Sequence, residues 1–197
     1  MVRLTRIYTR LGDGGDTHLG DMSRVRKTSP RVVAYGDVDE LNATIGVARV
    51  QGQGLSEHVD GWLALIQNDL FDLGADLCVP EAPPGGGGEG RAPLRVTAEQ
   101  VARLEAWCDE VNEGLTPLTS FVLPAGTPAA AALHHARAVC RRAERAAVAL
   151  ADAEPVNAQA VAYLNRLSDL LFILARAANA RVGDVLWTPG GGTADAG

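Results

Sequence analysis

The chain has 197 residues, 47% of them hydrophobic, which is enough to bury one core and short for two domains. Its 18 Lys and Arg against 24 Asp and Glu give a net charge of -6, which disfavours non-specific binding to nucleic acid or to an anionic membrane. It shows no apolar run as long as a membrane span and no signal-peptide core, so we expect a cytoplasmic protein. The cysteines form no CxxC pair and are expected to be buried thiols: Cys78, Cys108 and Cys140.

The first informative stretch is residues 9–17, Thr-Arg-Leu-Gly-Asp-Gly-Gly-Asp-Thr, with three glycines within four positions. Glycine lets the backbone approach a ligand closely, and Thr9, Arg10 and Thr17 supply donors to oxyanions. Hydroxyl and basic side chains follow it: Ser23, Arg24, Arg26 and Lys27. The stretch predicts one half of a nucleotide site, although its glycine content alone would favour a flexible terminus. It is not a Walker A loop, because no Gly-Lys-Ser/Thr follows at the required spacing.

The next two segments predict helices. The first runs from Pro30 to about Val50, with proline in the first turn and helical spacing of its apolar residues. A second stripe on it is polar and small, and is therefore available to a ligand or a partner: Tyr35, Asp39, Asn42 and Gly46. The second helix follows Ser56, a predicted N-cap, and carries a long apolar stripe that ends at Leu77.

Three further helices are predicted towards the C-terminus. Thr97 and Gln100 predict a capping box for the third helix, which ends near Gly114. The fourth starts at Pro128, and its predicted core face is Ala132, Val139, Ala143, Ala146 and Leu150. The fifth carries an apolar stripe from Val161 to Ala178. Five helices, short connections and little strand pattern predict an all-α, antiparallel five-helix bundle.

The predicted domain organisation is simple. Residues 1–29 form a ligand-loop segment, residues 30–187 the bundle, and residues 188–197 a frayed tail. Within the bundle, residues 80–93 contain a Pro-Pro pair and four consecutive glycines, so we expect a mobile surface loop there.

Polar residues interrupt the last two predicted helices. Arg137, Arg141 and Arg145 follow one another at four-residue steps, so their guanidiniums line one face. Such a stripe is typical of a solvated surface or of one that contacts an anion or carboxylates. Asp39 is a natural partner for one of these arginines, within the chain or between subunits. On the fifth helix, Asn165 and Asp169 share a stripe, and the network they indicate could be structural or functional.

Together the motifs resemble those of the PduO-type ATP:cob(I)alamin adenosyltransferases, over nearly the whole chain. The matching segments are residues 9–17, Lys27, residues 31–42 (RVVAYGDVDELN), residues 121–124 (FVLP), residues 141–145 (RRAER) and residues 165–169 (NRLSD). The resemblance implies a ferritin-like five-helix bundle that assembles as a homotrimer, with each active site between adjacent subunits. The resemblance also implies that residues 1–29 bind ATP.

The resemblance also implies roles for individual residues. The triphosphate of ATP would be wrapped by Thr9, Arg10, Gly12, Asp13, Gly14, Gly15, Thr17, Ser23 and Lys27. The neighbouring subunit would contribute Glu144, Arg145 and Asn165. Mg2+ would bridge the phosphates, with no protein ligand assigned to it. Asp39 and Arg141 would form an intersubunit salt bridge, and Phe121 would close the corrin side of the site; without the resemblance, Phe121 reads as a core aromatic.

The implied activity is transfer of the 5′-deoxyadenosyl group of ATP to cob(I)alamin, giving adenosylcobalamin and triphosphate. Cobalt(I) is itself the nucleophile, so no general base is needed. An electron-donating flavoprotein and an adenosylcobalamin-dependent client enzyme are the implied partners. Two alternatives remain at this stage: a non-catalytic trimer that senses ATP or carries adenosylcobalamin, and an interaction bundle without a ligand.

Overall fold

A computed structural model describes residues 8, 10–52, 55–81 and 93–191. Thr9, residues 82–92 of the predicted mobile loop and residues 192–197 of the predicted tail lie outside these ranges. Two short strands precede five helices: β1 (Asp16–His18), β2 (Arg24–Arg26), α1 (Pro30–Gln51), α2 (Glu57–Cys78), α3 (Ala98–Asn112), α4 (Pro128–Ala153) and α5 (Ala158–Ala178). The prediction of a five-helix, largely α-helical protein is confirmed.

Local sequence explains where four of the helices begin. In each case a Ser or Thr side chain accepts a hydrogen bond from a backbone N–H three residues on, which satisfies one of the free donors of the first turn. These N-caps are Ser29, Ser56, Thr97 and Thr127. At α3 the predicted capping box is complete, since Gln100 Oε1 accepts from Thr97 N at 2.9 Å. Proline occupies the first turn of α1 and of α4, as predicted.

All five helices contribute side chains to the core, and those from α3 are Val101, Leu104 and Cys108. α1 packs against α2 and α4, α4 packs against α5, and α3 covers α5. Trp107 of α3 also stacks on Trp62 of α2, with ring centroids 4.7 Å apart. The centre of the bundle is formed by fully buried aliphatic side chains, among them Leu41, Ile45, Leu63, Ile66, Leu133, Leu164 and Leu171. None of the helices in the described ranges is long and apolar enough to cross a membrane.

Two predictions about buried residues need correction. On α4, Val139, Ala143 and Leu150 are buried, but Ala132 and Ala146 are only partly so. The core face also includes residues that the prediction omitted: Leu133, Ala136, Cys140 and Ala147. Alanine occurs on several sides of this helix, so its spacing marks the buried side poorly. Cys108 and Cys140 are buried free thiols as expected, whereas Cys78 is only partly buried.

The sequence also failed to predict the hairpin near the N-terminus. β1 and β2 pair antiparallel, with Asp16 opposite Arg26 and His18 opposite Arg24. Each strand has three residues, too few for an alternating pattern to be recognised.

Candidate active site

The glycine-rich stretch forms a closed turn that leads into β1. Gly15 N donates to Gly12 O at 3.1 Å, and Lys27 N donates to Gly15 O at 2.9 Å. Gly15 has φ +87°, a conformation that favours glycine. A Cβ on Gly12 would lie 3.1 Å from Lys27 Nζ, so the ammonium rests against the turn. The structure therefore brings together Gly12, Gly15 and Lys27, as the sequence predicted.

Charges inside the hairpin are mostly paired with each other. The Asp16 carboxylate lies 2.9 Å from both Arg24 and Arg26, and Arg26 Nη1 also donates to Gly14 O at 2.9 Å. Within the described part of the chain, the Lys27 ammonium has no carboxylate at ion-pair distance. Lys27 is thus a cation of this turn that can bind an anion.

Ser23, predicted to contact ATP, has a local partner in this structure. Its backbone N and its Oγ donate to Asp21 Oδ1 at 2.9 and 2.6 Å. These two hydrogen bonds from Ser23 hold the pKa of the Asp21 carboxyl below its ordinary value. The hydroxyl of Ser23 therefore donates within the hairpin, where the side chain is exposed.

The hairpin is anchored to the C-terminal end of α2. Gly20 N donates to Cys78 O at 3.0 Å, and a Cβ on Gly20 would come within 2.5 Å of Val79 Cγ2. Buried Arg31, at the start of α1, donates to Leu77 O at 2.6 Å and pairs with Glu154 at 2.9 Å. Two of the free carbonyls at the end of α2 are thereby satisfied, and the hairpin lies beside the groove between α1 and α2.

That groove is a concavity of about 410 Å³. Tyr35, Asp39 and Asn42 line it from α1. The predicted polar stripe is accessible at Asp39 and partly so at Tyr35, but Asn42 is buried and hydrogen-bonds with Gln67 of α2. Phe71 of α2 is 72% exposed at its edge, and partial burial raises the pKa of the Tyr35 hydroxyl. Cys78 completes the lining at the hairpin end.

Asp39 itself is exposed and lacks an arginine or lysine partner among the described residues. Its neighbours Asp37 and Glu40 instead pair with Arg142 of α4, and the hydrogen bond from Arg142 lowers the pKa of the Glu40 carboxyl. The expected pairing of Asp39 with Arg141 is thus not made within one chain.

A second concavity, of about 320 Å³, lies between α4, α5 and the segment before α4. Phe121, Arg137 and Arg141 line it, and the Arg137 guanidinium sits 5.7 Å from the centre of the Phe172 ring. Phe121 is 77% exposed, which rules out a role as a core aromatic. The sequence-predicted Phe121 and Arg141 are therefore brought together here.

The polar residues farther along α4 and α5 continue the same surface. Asn165 Nδ2 donates to Glu144 Oε1 at 2.8 Å, and both belong to the predicted site. Arg145 is exposed one helical turn beyond Arg141. On α5, Arg166 pairs with Asp169 at 2.6 Å.

The predicted site residues thus fall into two groups on one chain. The hairpin and groove hold Lys27 and Asp39, whereas the second concavity and its continuation hold Phe121, Arg141 and Asn165. Sequence reasoning overlooked Phe71 and Trp187, an aromatic ring beside Phe121. Phe71 lies off the apolar stripe of α2, and such an aromatic on the polar side of a helix is a usable signal.

A glycine turn that carries Lys27 on one surface, and exposed arginines beside an aromatic ring on another, define a helical bundle with two candidate ligand surfaces. A family model described as cobalamin adenosyltransferase matches residues 7–178. The chain belongs to the cobalamin adenosyltransferase family.

Curated relatives support this membership. The chain is 56% identical over 194 residues to a corrinoid adenosyltransferase of Mycobacterium tuberculosis (strain ATCC 25618 / H37Rv), with 96% of each chain covered. It is 41% identical over 184 residues to a corrinoid adenosyltransferase of Bacillus subtilis (strain 168), with 91% of each chain covered.

Solved structures also support membership of this family. One is a phenylalanine-to-alanine variant of the PduO-type ATP:corrinoid adenosyltransferase from Lactobacillus reuteri, complexed with cobalamin and ATP. It superposes with a TM-score of 0.83 and 35% identity, covering 92% of this chain and 99% of the other. An arginine-to-lysine variant from the same organism, complexed with ATP, gives a TM-score of 0.78 at 35% identity, covering 92% and 100%.

Proposed function

We propose that this protein transfers the 5′-deoxyadenosyl group of ATP to cob(I)alamin, producing adenosylcobalamin and triphosphate. The observation that carries the proposal is the exposed Phe121 beside Arg141, on a different surface from the turn that holds Lys27. A bundle that only joins subunits would need neither the exposed aromatic ring nor the turn with its lysine. A non-catalytic carrier is not favoured, because the chain matches relatives named as adenosyltransferases over nearly their whole length.

The turn and Lys27 would bind the triphosphate of ATP. An ammonium held against the turn and the polar side chains nearby suit a polyanion. The remaining contacts would come from Thr9, Arg10, Asp13, Gly14, Thr17 and Ser23, with Mg2+ bridging the phosphates. Since negative charge builds up on the departing oxygen, cations already in place at the triphosphate lower the barrier.

The second half of the site would come from a neighbouring subunit of a homotrimer. Glu144, Arg145 and Asn165 lie on one exposed surface, and the Asn165–Glu144 hydrogen bond presents two of them as a unit. Asp39 is exposed on the opposite half-site without a cationic partner among the described residues, so it can accept a guanidinium from another chain. We assign that guanidinium to Arg141.

The reaction requires little from side chains beyond placement. Cobalt(I) attacks the 5′ carbon of ATP, the Co–C bond forms, and the C–O bond to the triphosphate breaks with its electron pair. No proton has to move, so no general base is required. The protein orients ATP so that its 5′ carbon faces the cobalt, and stabilises the leaving group.

Phe121 would act before this step. Its exposed ring can occupy the position of the lower axial ligand of cobalamin and exclude both water and the nucleotide base. Cobalt(II) left with four ligands is easier to reduce to cobalt(I). The electron would come from a flavoprotein, and the product would pass to an adenosylcobalamin-dependent enzyme.

The direct test mixes the purified protein with ATP, Mg2+ and chemically reduced cobalamin. We expect a light-sensitive alkyl-cobalt product, formed with one triphosphate for each cobalamin consumed. Tight binding of ATP and adenosylcobalamin without any such product would instead support a carrier.

A further inference from the structure

The segment that follows α5 runs alongside Phe121. Residues 184–187, here called the strap, pair antiparallel with residues 121–123 through a β-bridge. The backbone of Phe121 and Leu123 is therefore held by a part of the chain more than 60 residues away in sequence. The flanking hydrogen bonds are Leu123 N to Val185 O, 2.7 Å, and Trp187 N to Phe121 O, 2.8 Å.

The side chain of Trp187 supports the ring of Phe121. The two ring centroids are 5.9 Å apart at an angle of 64°, an edge-to-face arrangement that aromatic pairs favour. Ser120 Oγ also donates to Trp187 O at 2.7 Å, which ties the strap to the residue before Phe121. Among the described residues, Trp187 is the aromatic neighbour of Phe121.

The beginning of the strap is held by a buried arginine. Arg176 Nε lies 2.9 Å from Asp184 Oδ2, with both side chains largely buried. Arg176 Nη2 also donates to Thr116 O at 2.7 Å. One guanidinium therefore fixes the start of the strap and the start of the segment that carries Phe121, so the two segments keep a constant spacing.

We propose that Trp187 is a positioning residue, which holds the Phe121 ring where it excludes a lower axial ligand from cobalt. The inference rests on the proposed function. A ring that is mostly exposed on a fixed backbone can still change its χ1 rotamer, and an edge-to-face contact favours one of these states. Without Trp187, Phe121 spends more time in other rotamers, and water reaches the cobalt more often.

The test compares Trp187→Ala with Trp187→Phe, which keeps an aromatic edge, and with Trp107→Phe as a control for loss of an indole elsewhere. The electron paramagnetic resonance spectrum of enzyme-bound cobalt(II) cobalamin with ATP reports the four-coordinate fraction. For Trp187→Ala we expect that fraction, and turnover starting from cobalt(II), to fall about tenfold. Turnover from chemically reduced cobalt(I) should stay within about twofold, since the exclusion step is then bypassed.

Trp187→Phe should restore the four-coordinate signal, and Trp107→Phe should leave it unchanged. An unaltered signal in Trp187→Ala, or an equal loss of turnover from cobalt(I) and cobalt(II), would overturn the inference. If Trp187→Ala does not fold, Trp187→Leu repeats the comparison with apolar volume but no ring. Wild-type protein that makes no adenosylcobalamin from cobalt(I) would reject the proposed function. If the Trp187 variants behave like wild type, only the positioning role is rejected and the proposed function stands.

Discussion

The hairpin and the Phe121 segment both present candidate site residues on exposed backbone, but they are held in different ways. In the hairpin, Asp16 pairs with Arg24 and Arg26, so neighbours in sequence satisfy one another. The Phe121 segment depends on distant residues, since Asn179 at the end of α5 binds Ala125 O at 3.0 Å and Thr127 N at 2.9 Å. The charges of the hairpin are therefore paired locally, with Gly20 anchored to the end of α2, whereas the Phe121 segment is held by the core of the bundle.

This difference predicts different sensitivities to mutation. A ligand-wrapping turn that carries its own contacts can change shape without disturbing the bundle. A segment supported by buried groups transmits any local change to the core, because those groups lose their partners.

The largest expected effect is at Gly126, which has φ +108° and faces fully buried Asn179. A Cβ there would overlap the Asn179 amide, so Gly126→Ala combines backbone strain with a displaced hydrogen-bonding group. We expect a loss of about 3 kcal/mol in the free energy of unfolding, measured by urea denaturation.

Gly183→Ala is the matched control. Gly183 has φ +83°, but a Cβ there would meet nothing within 4 Å. Backbone strain alone predicts that Gly183→Ala lowers the free energy of unfolding by about 1 kcal/mol. Equal losses at the two glycines would mean that Asn179 does not support the Phe121 segment.

A smaller effect is expected in the hairpin. Asp16→Asn removes the partner of Arg24 and Arg26, whose side chains are mostly exposed. Exposed ion pairs contribute little, so the free energy of unfolding should fall by less than about 1 kcal/mol in the same denaturation assay. A loss as large as that of Gly126→Ala would show that the hairpin is part of the cooperative core.

The smallest effect concerns the pH response of the hairpin turn. Hydrogen bonds from Ser23 depress the pKa of Asp21, so their contribution is present above the ordinary carboxyl value of 3.8 and is lost as pH falls through the folded pKa. Carbon NMR titration should place the Asp21 midpoint below 3.8, and Ser23→Ala should raise it towards that value. Identical midpoints in the two proteins would remove Ser23 as the cause.

Local patterns were enough to predict most of the helical architecture. The predicted caps Ser56 and Thr97 act through contacts with residues three positions away, and such contacts can be read directly from sequence. The motifs also led to Lys27, whose position depends on hydrogen bonds within the same turn.

Features that depend on distant residues could not be predicted. The pairing of the strap with the Phe121 segment joins parts of the chain that no periodicity connects, and the exposure of Phe121 is a property of that tertiary arrangement. Likewise, Asp37, Asp39 and Glu40 are all possible partners for arginines of α4. The packing of α1 on α4 determines that Arg142 pairs with Asp37 and Glu40.

The central claim is that each active site combines the turn of one subunit with the α4–α5 surface of another. It can be tested with two inactive variants, Lys27→Ala in the turn and Arg145→Ala on α4. Each alone should lose most activity, because each removes a phosphate contact from every site. Co-refolding the two in equal amounts forms mixed trimers, in which some interfaces join an intact turn to an intact α4 surface.

The measured quantity is the rate of adenosylcobalamin formation from cobalt(I) cobalamin and ATP. If sites lie between subunits, random mixing should restore about one quarter of the wild-type rate, the share of interfaces in which both contributions are intact. A mixture that remains as inactive as the separate variants would place Lys27 and Arg145 in the same subunit's site and contradict the account.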